Sequence, residues 1–217
     1  MTSFRRATGS PVVSRPGGRT GRIRRQVLDA VRAELVEHGY DALSVDAVAT
    51  RAGVHRTTVY RRWRDVGGLL ADVFDTAGDD AWQPADTGSL LGDLLALNDQ
   101  ILAALTERPP ATMALIAASF RSEDAARALG RFWEDRYARC EPIVGRAVER
   151  GEVPPGTLAR PLLICATAPL YHRLALMRLP AEPGLAAMAA RTAALAASTG
   201  AFTAPEPGFT APEPGDI

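Results

Sequence analysis

The sequence predicts an all-α protein of two parts, a head of three short helices near the N-terminus and a larger helical body behind it. Three observations carry this. Apolar residues recur three or four positions apart almost throughout, while the period-two alternation that marks a strand is nearly absent. Proline and glycine clusters cut these runs into segments of helix length. The 217 residues, 47% of them hydrophobic, are enough to bury a core without disulfide or metal support.

The elements follow in order. A first helix is expected over 20–38, where Ile23, Val27, Val31 and Leu35 fall at every fourth position and Gly39 supplies the stop. Ser44 is placed to cap a short second helix bearing Val45, Val48, Ala49 and Ala52, with Asp46 in its first turn facing the positive dipole end. Gly53-Val54 makes a tight turn into a third helix at 56–64, and Asp65 can cap a fourth through Leu69, Leu70, Val73 and Phe74. Beyond residue 85, helices are expected at 89–106, 110–121, 124–150, 158–178 and 183–197, separated by Pro/Gly-rich breaks at 108–110, 151–156 and 180–184. Pro169 removes one backbone hydrogen bond from the helix at 158–178 and is expected to kink it. The head thus covers 19–65 and the body 66–200.

The two ends read differently. Residues 1–18 mix Gly, Pro, Ser and Arg without periodicity, a disordered basic arm whose Arg5, Arg6 and Arg15, with Arg19 just beyond, are either solvated or placed to track a groove of DNA. Residues 201–217 read as a disordered Pro-rich tail, because FTAPEPG occurs twice in succession, at 202–208 and 209–215. Two units are too few for a repeat array.

A formal net charge of zero hides a strong asymmetry. Residues 1–64 carry 13 Arg against 5 Asp and Glu, a balance of +8, and residues 65–217 carry the opposite balance of −8. Such a layout suits a chain of which only the first third meets a polyanion.

Several function classes are disfavoured. His38, His55 and His172 have no partner at metal-ligand spacing, and there is no nucleophile elbow, phosphate loop or paired-cysteine motif, so neither an enzyme nor a metal or cofactor site is expected. Cys140 and Cys165 lie in apolar helical stretches and read as small buried hydrophobes of a reducing compartment. The longest charge-free run, near 162–171, falls short of the roughly 20 residues that span a bilayer, so no membrane partner is expected and the location is cytoplasmic.

The chemistry concentrates at 56–64. On a helical wheel Val59 and Trp63 share one face and would pack on the preceding helices. Arg56, Thr57, Tyr60, Arg61 and Arg64 fan across the other face, with Thr58 and Arg62 on its flanks. An arginine run on a helix is ordinarily only a solvated face. Here it sits in a helix, glycine turn, helix unit inside the basic third of the chain, which favours the DNA major groove: Arg forks onto guanine edges, and Tyr and Thr hydroxyls reach phosphates.

The run GYDALSVDAVATRAGVHRTTVYRRWRDVGGLL, at 39–70, closely resembles the DNA-binding domain of the tetracycline-repressor (TetR) family. Several spaced features carry the likeness: a Gly-aromatic pair, a Ser before a short helix, Ala-Gly-Val at the turn, then Thr-x-Tyr and a following aromatic. It implies base contacts from Arg56 and Thr57, to which the outward Arg61 is added. It implies phosphate contacts from Thr58, Tyr60 and Arg62, from Ser44, and from Thr20 and Arg22 at the start of the first helix. Many members open the fourth helix with Lys, where this chain has Val66, so that phosphate contact is either missing or supplied by neighbouring Arg64.

The resemblance also implies a body that dimerises through its last two helices, holds a small-molecule effector, and reads a near-palindromic DNA operator. The stripe Leu163, Leu170, Leu174 and Met177 is the candidate dimer interface, with intramolecular core as its competing reading. Trp133, Tyr137 and Cys140 share a helix face; with Leu97, Met113, Phe120, Tyr171 and His172 they form the candidate effector pocket, again against a reading as core. The expected function is a ligand-released repressor, and the alternative is a helical small-molecule-binding or catalytic protein with a vestigial head.

Overall fold

A computed structural model describes residues 18–78 and 81–204; nearly all of the expected arm, and the tail from residue 205 on, lie outside them. Among the described residues there are nine α-helices and no strand. The head holds α1 (Arg19–His38), α2 (Val45–Ala52) and α3 (Arg56–Trp63). The body holds α4 (Val66–Gly78), α5 (Leu90–Thr106), α6 (Ala111–Ser119), α7 (Glu123–Glu149), α8 (Ala159–Tyr171) and α9 (Leu185–Ser198). No helix among these residues is long and apolar enough to cross a membrane.

Serine caps open three of the helices. The hydroxyl oxygens of Ser44, Ser89 and Ser122 accept from the backbone N–H groups of Ala47, Gly92 and Ala125, satisfying donors that a helix N-terminus leaves orphaned. Helix α8 runs through Pro169, and three residues later the ladder widens into a π-helical turn, His172–Leu176, closed by Met177 N–H donating to His172 O at 2.8 Å. Proline cannot donate to the preceding turn, and the backbone departs from α geometry close behind it.

The head does not end its packing where its helices end. Val27, Val31, Leu35, Val48, Val59 and Trp63 share one buried cluster with Leu69, Leu70 and Val73 of α4, and that cluster runs on into Ala118, Ala125 and Ala128 of the body. Helix α4 therefore completes the core of the head while belonging to the body, a rigid link between the two. A second core joins α5, α7, α8 and α9 through Leu94, Ile143, Leu162, Leu163 and the alanines 190, 193 and 197. Fully buried Asn98 ties three of these helices together, donating to Ala166 O at 2.9 Å and Ala186 O at 3.1 Å.

One boundary differs from the sequence reading. Residues 201–203, expected in the tail, pack on the body: Phe202 lies against the second core, its carbonyl accepts from Leu158 N–H at 2.8 Å, and Thr203 forms an antiparallel bridge with Thr157. The phenyl ring supplies apolar area to bury.

Candidate nucleic-acid interface and body cavity

Helix α3 divides as its sequence implies. Val59 is fully buried and Trp63 is 4% exposed, while Arg56, Thr57, Tyr60, Arg61 and Arg62 face solvent and Thr58 is half-buried. The Gly53 turn takes the left-handed conformation (φ 63°, ψ 32°), which sets the angle between α2 and α3. His55 opens the helix, a role the sequence reading missed: its Nδ1 accepts from Thr57 N–H at 3.4 Å and lies 2.8 Å from the Thr57 hydroxyl. Asp46 meets Arg56 at 3.9 Å with both side chains largely in solvent, too loose a contact to hold that guanidinium away from a ligand.

Three devices fix α3 in place, and all involve residues outside it. Asp72 on α4 accepts from the Trp63 indole N–H at 2.6 Å and from Arg24 of α1, whose Nε reaches its two oxygens at 3.1 and 3.0 Å. Burial opposes charge on Asp72, but the hydrogen bonds from Arg24 and Trp63 and the positive charge of Arg24 and Arg62 outweigh it, holding this carboxyl below the usual range. The second device is Arg64, at φ 68° and ψ −55°, where the Asp65 N–H donates to Trp63 O at 2.8 Å in a tight three-residue turn. A non-glycine residue there carries strain, and the turn lets Asp65 cap α4 by accepting from Gly68 N–H at 2.9 Å. Third, a Cβ at Gly68 would sit 2.1 Å from Trp63 O, so α4 approaches the end of α3 at a distance only glycine permits.

The remaining residues expected at phosphates are accessible. Thr20, Arg22, Ser44 and Arg64 are exposed, and Arg24 beneath Trp63 sets the first turns of α1 beside the end of α3. Val66 is half-buried against the head core. Arg62 lies 5.0 Å over the Trp63 ring, so it can reach outward only by leaving that stack.

In the body, a cavity of about 300 Å³ lies among α4, α5, α6, α7 and α8. Of the residues set out for a pocket, Leu97, Trp133, Tyr137, Cys140 and Tyr171 line it. Phe120 and His172 instead line an adjoining cleft that shares Trp133, Tyr137 and Tyr171 with the cavity, and Phe120 is 72% exposed. Met113 lines neither space and is corrected: half-buried, it packs against the cluster of Leu105, Leu170 and Leu174. Phe74, Trp82 and Phe132 complete an aromatic wall that the sequence reading missed, since three helices and a loop contribute to it. Six of the seven aromatic residues between positions 66 and 200 line the cavity, and that concentration in the body was the available signal. Burial pushes the Cys140 thiol up to about 11 and raises the Tyr171 phenol as well.

The dimer stripe is also corrected. Leu163 and Leu170 are fully buried and Leu174 nearly so inside a single chain, because α8 packs against α5, α7 and α9; only Met177 is exposed. The outward face of the last two helices carries Ile164, Cys165, Ala168, Met188 and Leu195 instead, so Cys165 is exposed rather than buried. Helix α8 is apolar almost all round, and its periodicity could not tell its two apolar faces apart.

Comparisons with known proteins agree with this geometry. Residues 27–73 match the family model "Bacterial regulatory proteins, tetR family", and residues 84–193 match "Tetracyclin repressor-like, C-terminal domain". The chain is 33% identical over 158 residues to the HTH-type transcriptional regulator AqdR of Rhodococcus erythropolis, covering 71% of this chain and 74% of that protein. It is 33% identical over 162 residues to the DNA-binding transcriptional repressor TetR of Mycobacteroides abscessus, covering 72% and 84%. A TetR transcriptional regulator from Agrobacterium tumefaciens shares the fold, with a TM-score of 0.63 at 20% identity over 81% of this chain and 93% of that one.

Proposed function

The chain belongs to the TetR family of bacterial regulatory proteins, DNA-binding transcription regulators that typically act as dimers, and on that premise we propose that it is a cytoplasmic repressor of a near-palindromic operator, released by a small-molecule effector. Two copies, joined across the Ile164, Cys165, Ala168, Met188 and Leu195 face, present two α3 helices to successive major grooves. Arg56, Thr57 and Arg61 read base edges. Tyr60, Thr58, Arg62, Arg64, Ser44, Thr20 and Arg22 bind phosphates and set the register.

The observation that carries this reading is the two-faced α3: an arginine and hydroxyl surface turned to solvent over Val59 and Trp63, which are locked into the core. The effector enters the body cavity, and it acts by binding the DNA-free arrangement of the two heads more tightly than the DNA-bound one. Helix α4 is the mechanical link, because it lines the cavity through Phe74 and Ala77 and grips Trp63 through Asp72. Selection from a pool of random duplexes tests the proposal. Enrichment of a near-palindromic site is expected, and a pool that enriches nothing would overturn it.

A further inference from the structure

The family comparisons leave the chemistry of the effector open, and the cavity walls bear on it. The chain has 13 aromatic residues in all, and six of them line this one cavity. Trp133 packs edge-on against Phe132 at 5.3 Å and Tyr171 at 5.1 Å between ring centroids, leaving flat ring faces around a narrow space. Among the described residues no carboxylate lines it. Among the described residues the one charged group in the wall is Arg136, and that guanidinium is engaged: it donates to Ala77 O at 2.9 Å and lies between the Trp82 and Phe132 rings, 4.8 and 5.0 Å from their centroids. A cationic guest would meet the positive charge of Arg136, and an anionic one would have to draw it out of that stack.

Two polar tips stand differently. The phenols of Tyr137 and Tyr171 both border the cavity, and neither hydroxyl has a hydrogen-bond partner among the described residues. Both also border the adjoining cleft, which opens past Phe120, His172 and Leu176 and supplies a way in. Both tyrosines are half-buried, so a guest that excludes water from the cavity and offers one polar atom to these hydroxyls gains specificity as well as affinity.

Resting on the regulator reading above, we propose that the effector is an uncharged, planar aromatic molecule of two or three fused rings, carrying a hydroxyl or carbonyl that hydrogen-bonds Tyr171 and Tyr137. A volume of about 300 Å³ is at the small end for ligand cavities and suits that size. Stacking against the ring walls supplies the affinity, and the two phenols fix the orientation.

The test uses the full chain and four probes: naphthalen-2-ol, naphthalene, naphthalene-2-carboxylate and decan-1-ol. Trp82 and Trp133 lie in the wall, so intrinsic tryptophan fluorescence reads occupancy. Saturable binding of naphthalen-2-ol is expected, at least about tenfold tighter than the carboxylate or the alkanol, in line with the penalty on burying charge and the loss of stacking. Tyr171→Phe, with Tyr137→Phe as the second variant should the first fail to fold, should weaken naphthalen-2-ol about fivefold and leave naphthalene unchanged. Equal or tighter binding of the carboxylate or the alkanol overturns the proposal, as does a phenol deletion that affects both aromatic probes alike. Operator binding by the same preparation without probe is measured alongside. If that binding is intact and naphthalen-2-ol does not saturate, this inference alone fails; if operator binding is absent, the regulator reading fails.

Discussion

Asp72→Asn asks whether α3 is held by a carboxylate on the neighbouring helix. The substitution keeps the shape and one carbonyl acceptor but removes the charge and turns an N–H₂ toward one of the donors. The Trp63 indole and both arms of Arg24 converge on this side chain, so at least one charge-assisted bond is lost and the rest are weakened. Bonds to a charged group contribute about 1.5–3 kcal/mol each, and because the Arg24 side chain is 30% exposed the lower part of that range applies. The expected loss of stability is about 2 kcal/mol by urea unfolding followed by circular dichroism, at matched protein concentration because dimerisation adds to stability. A double-mutant cycle with Trp63→Phe should give a coupling of about 1 kcal/mol. The pH dependence has a definite sign. The folded carboxyl is held below its unfolded value, so its contribution is fully present above the unfolded pKa of about 3.9 and disappears as pH falls through the folded value. The variant should therefore lose less stability than the parent between pH 5 and pH 3. A loss under about 0.5 kcal/mol, or single substitutions that add within about 0.3 kcal/mol, would refute the reasoning.

Three further outcomes follow from the same region and from the outer helices. Gly68→Ala should destabilise the chain by about 2–3 kcal/mol in the same unfolding assay, because the Cβ would displace the Trp63 carbonyl rather than a pliable side chain. Arg64→Gly should raise stability by about 1 kcal/mol by relieving the positive φ, yet weaken binding to all duplexes alike if Arg64 replaces the missing phosphate contact at Val66; fluorescence anisotropy on specific and scrambled duplexes reads both. Leu195→Asp, at a position 69% exposed in the single chain, should leave the helical content unchanged by circular dichroism and shift sedimentation from dimer to monomer.

Much of this fold was legible because its signals are local. Ser44 capping α2, the Gly39 and Gly53 stops and the apolar spacing of Val27, Val31 and Leu35 each act within a turn or two of helix, and each element appears where those residues place it. The two faces of α3 were legible for the same reason. What sequence spacing did not carry were pairings across distance: Arg24 and Asp72 are 48 positions apart, and nothing near either one announces the other. The stripe on α8 misled because Ile164, Cys165 and Ala168 leave its open face apolar too, so spacing could not separate that face from the covered one. The cavity was half legible. Trp133, Tyr137 and Cys140 share a face that spacing reveals, whereas Phe74 and Trp82 reach it from segments that only the tertiary fold brings alongside.

The central claim is that the outward face of α3 reads DNA sequence, and the most direct measurement compares Arg56→Ala with Arg62→Ala on the selected duplex, on its single-base variants and on a scrambled duplex, over a range of salt. The account predicts that Arg56→Ala costs about 1–3 kcal/mol on the selected site and relaxes discrimination at particular base pairs. Arg62→Ala should weaken every duplex about equally and lower the salt slope by about one. Two variants that weaken all duplexes alike, or a parent chain that binds the selected duplex no tighter than the scrambled one, would contradict it.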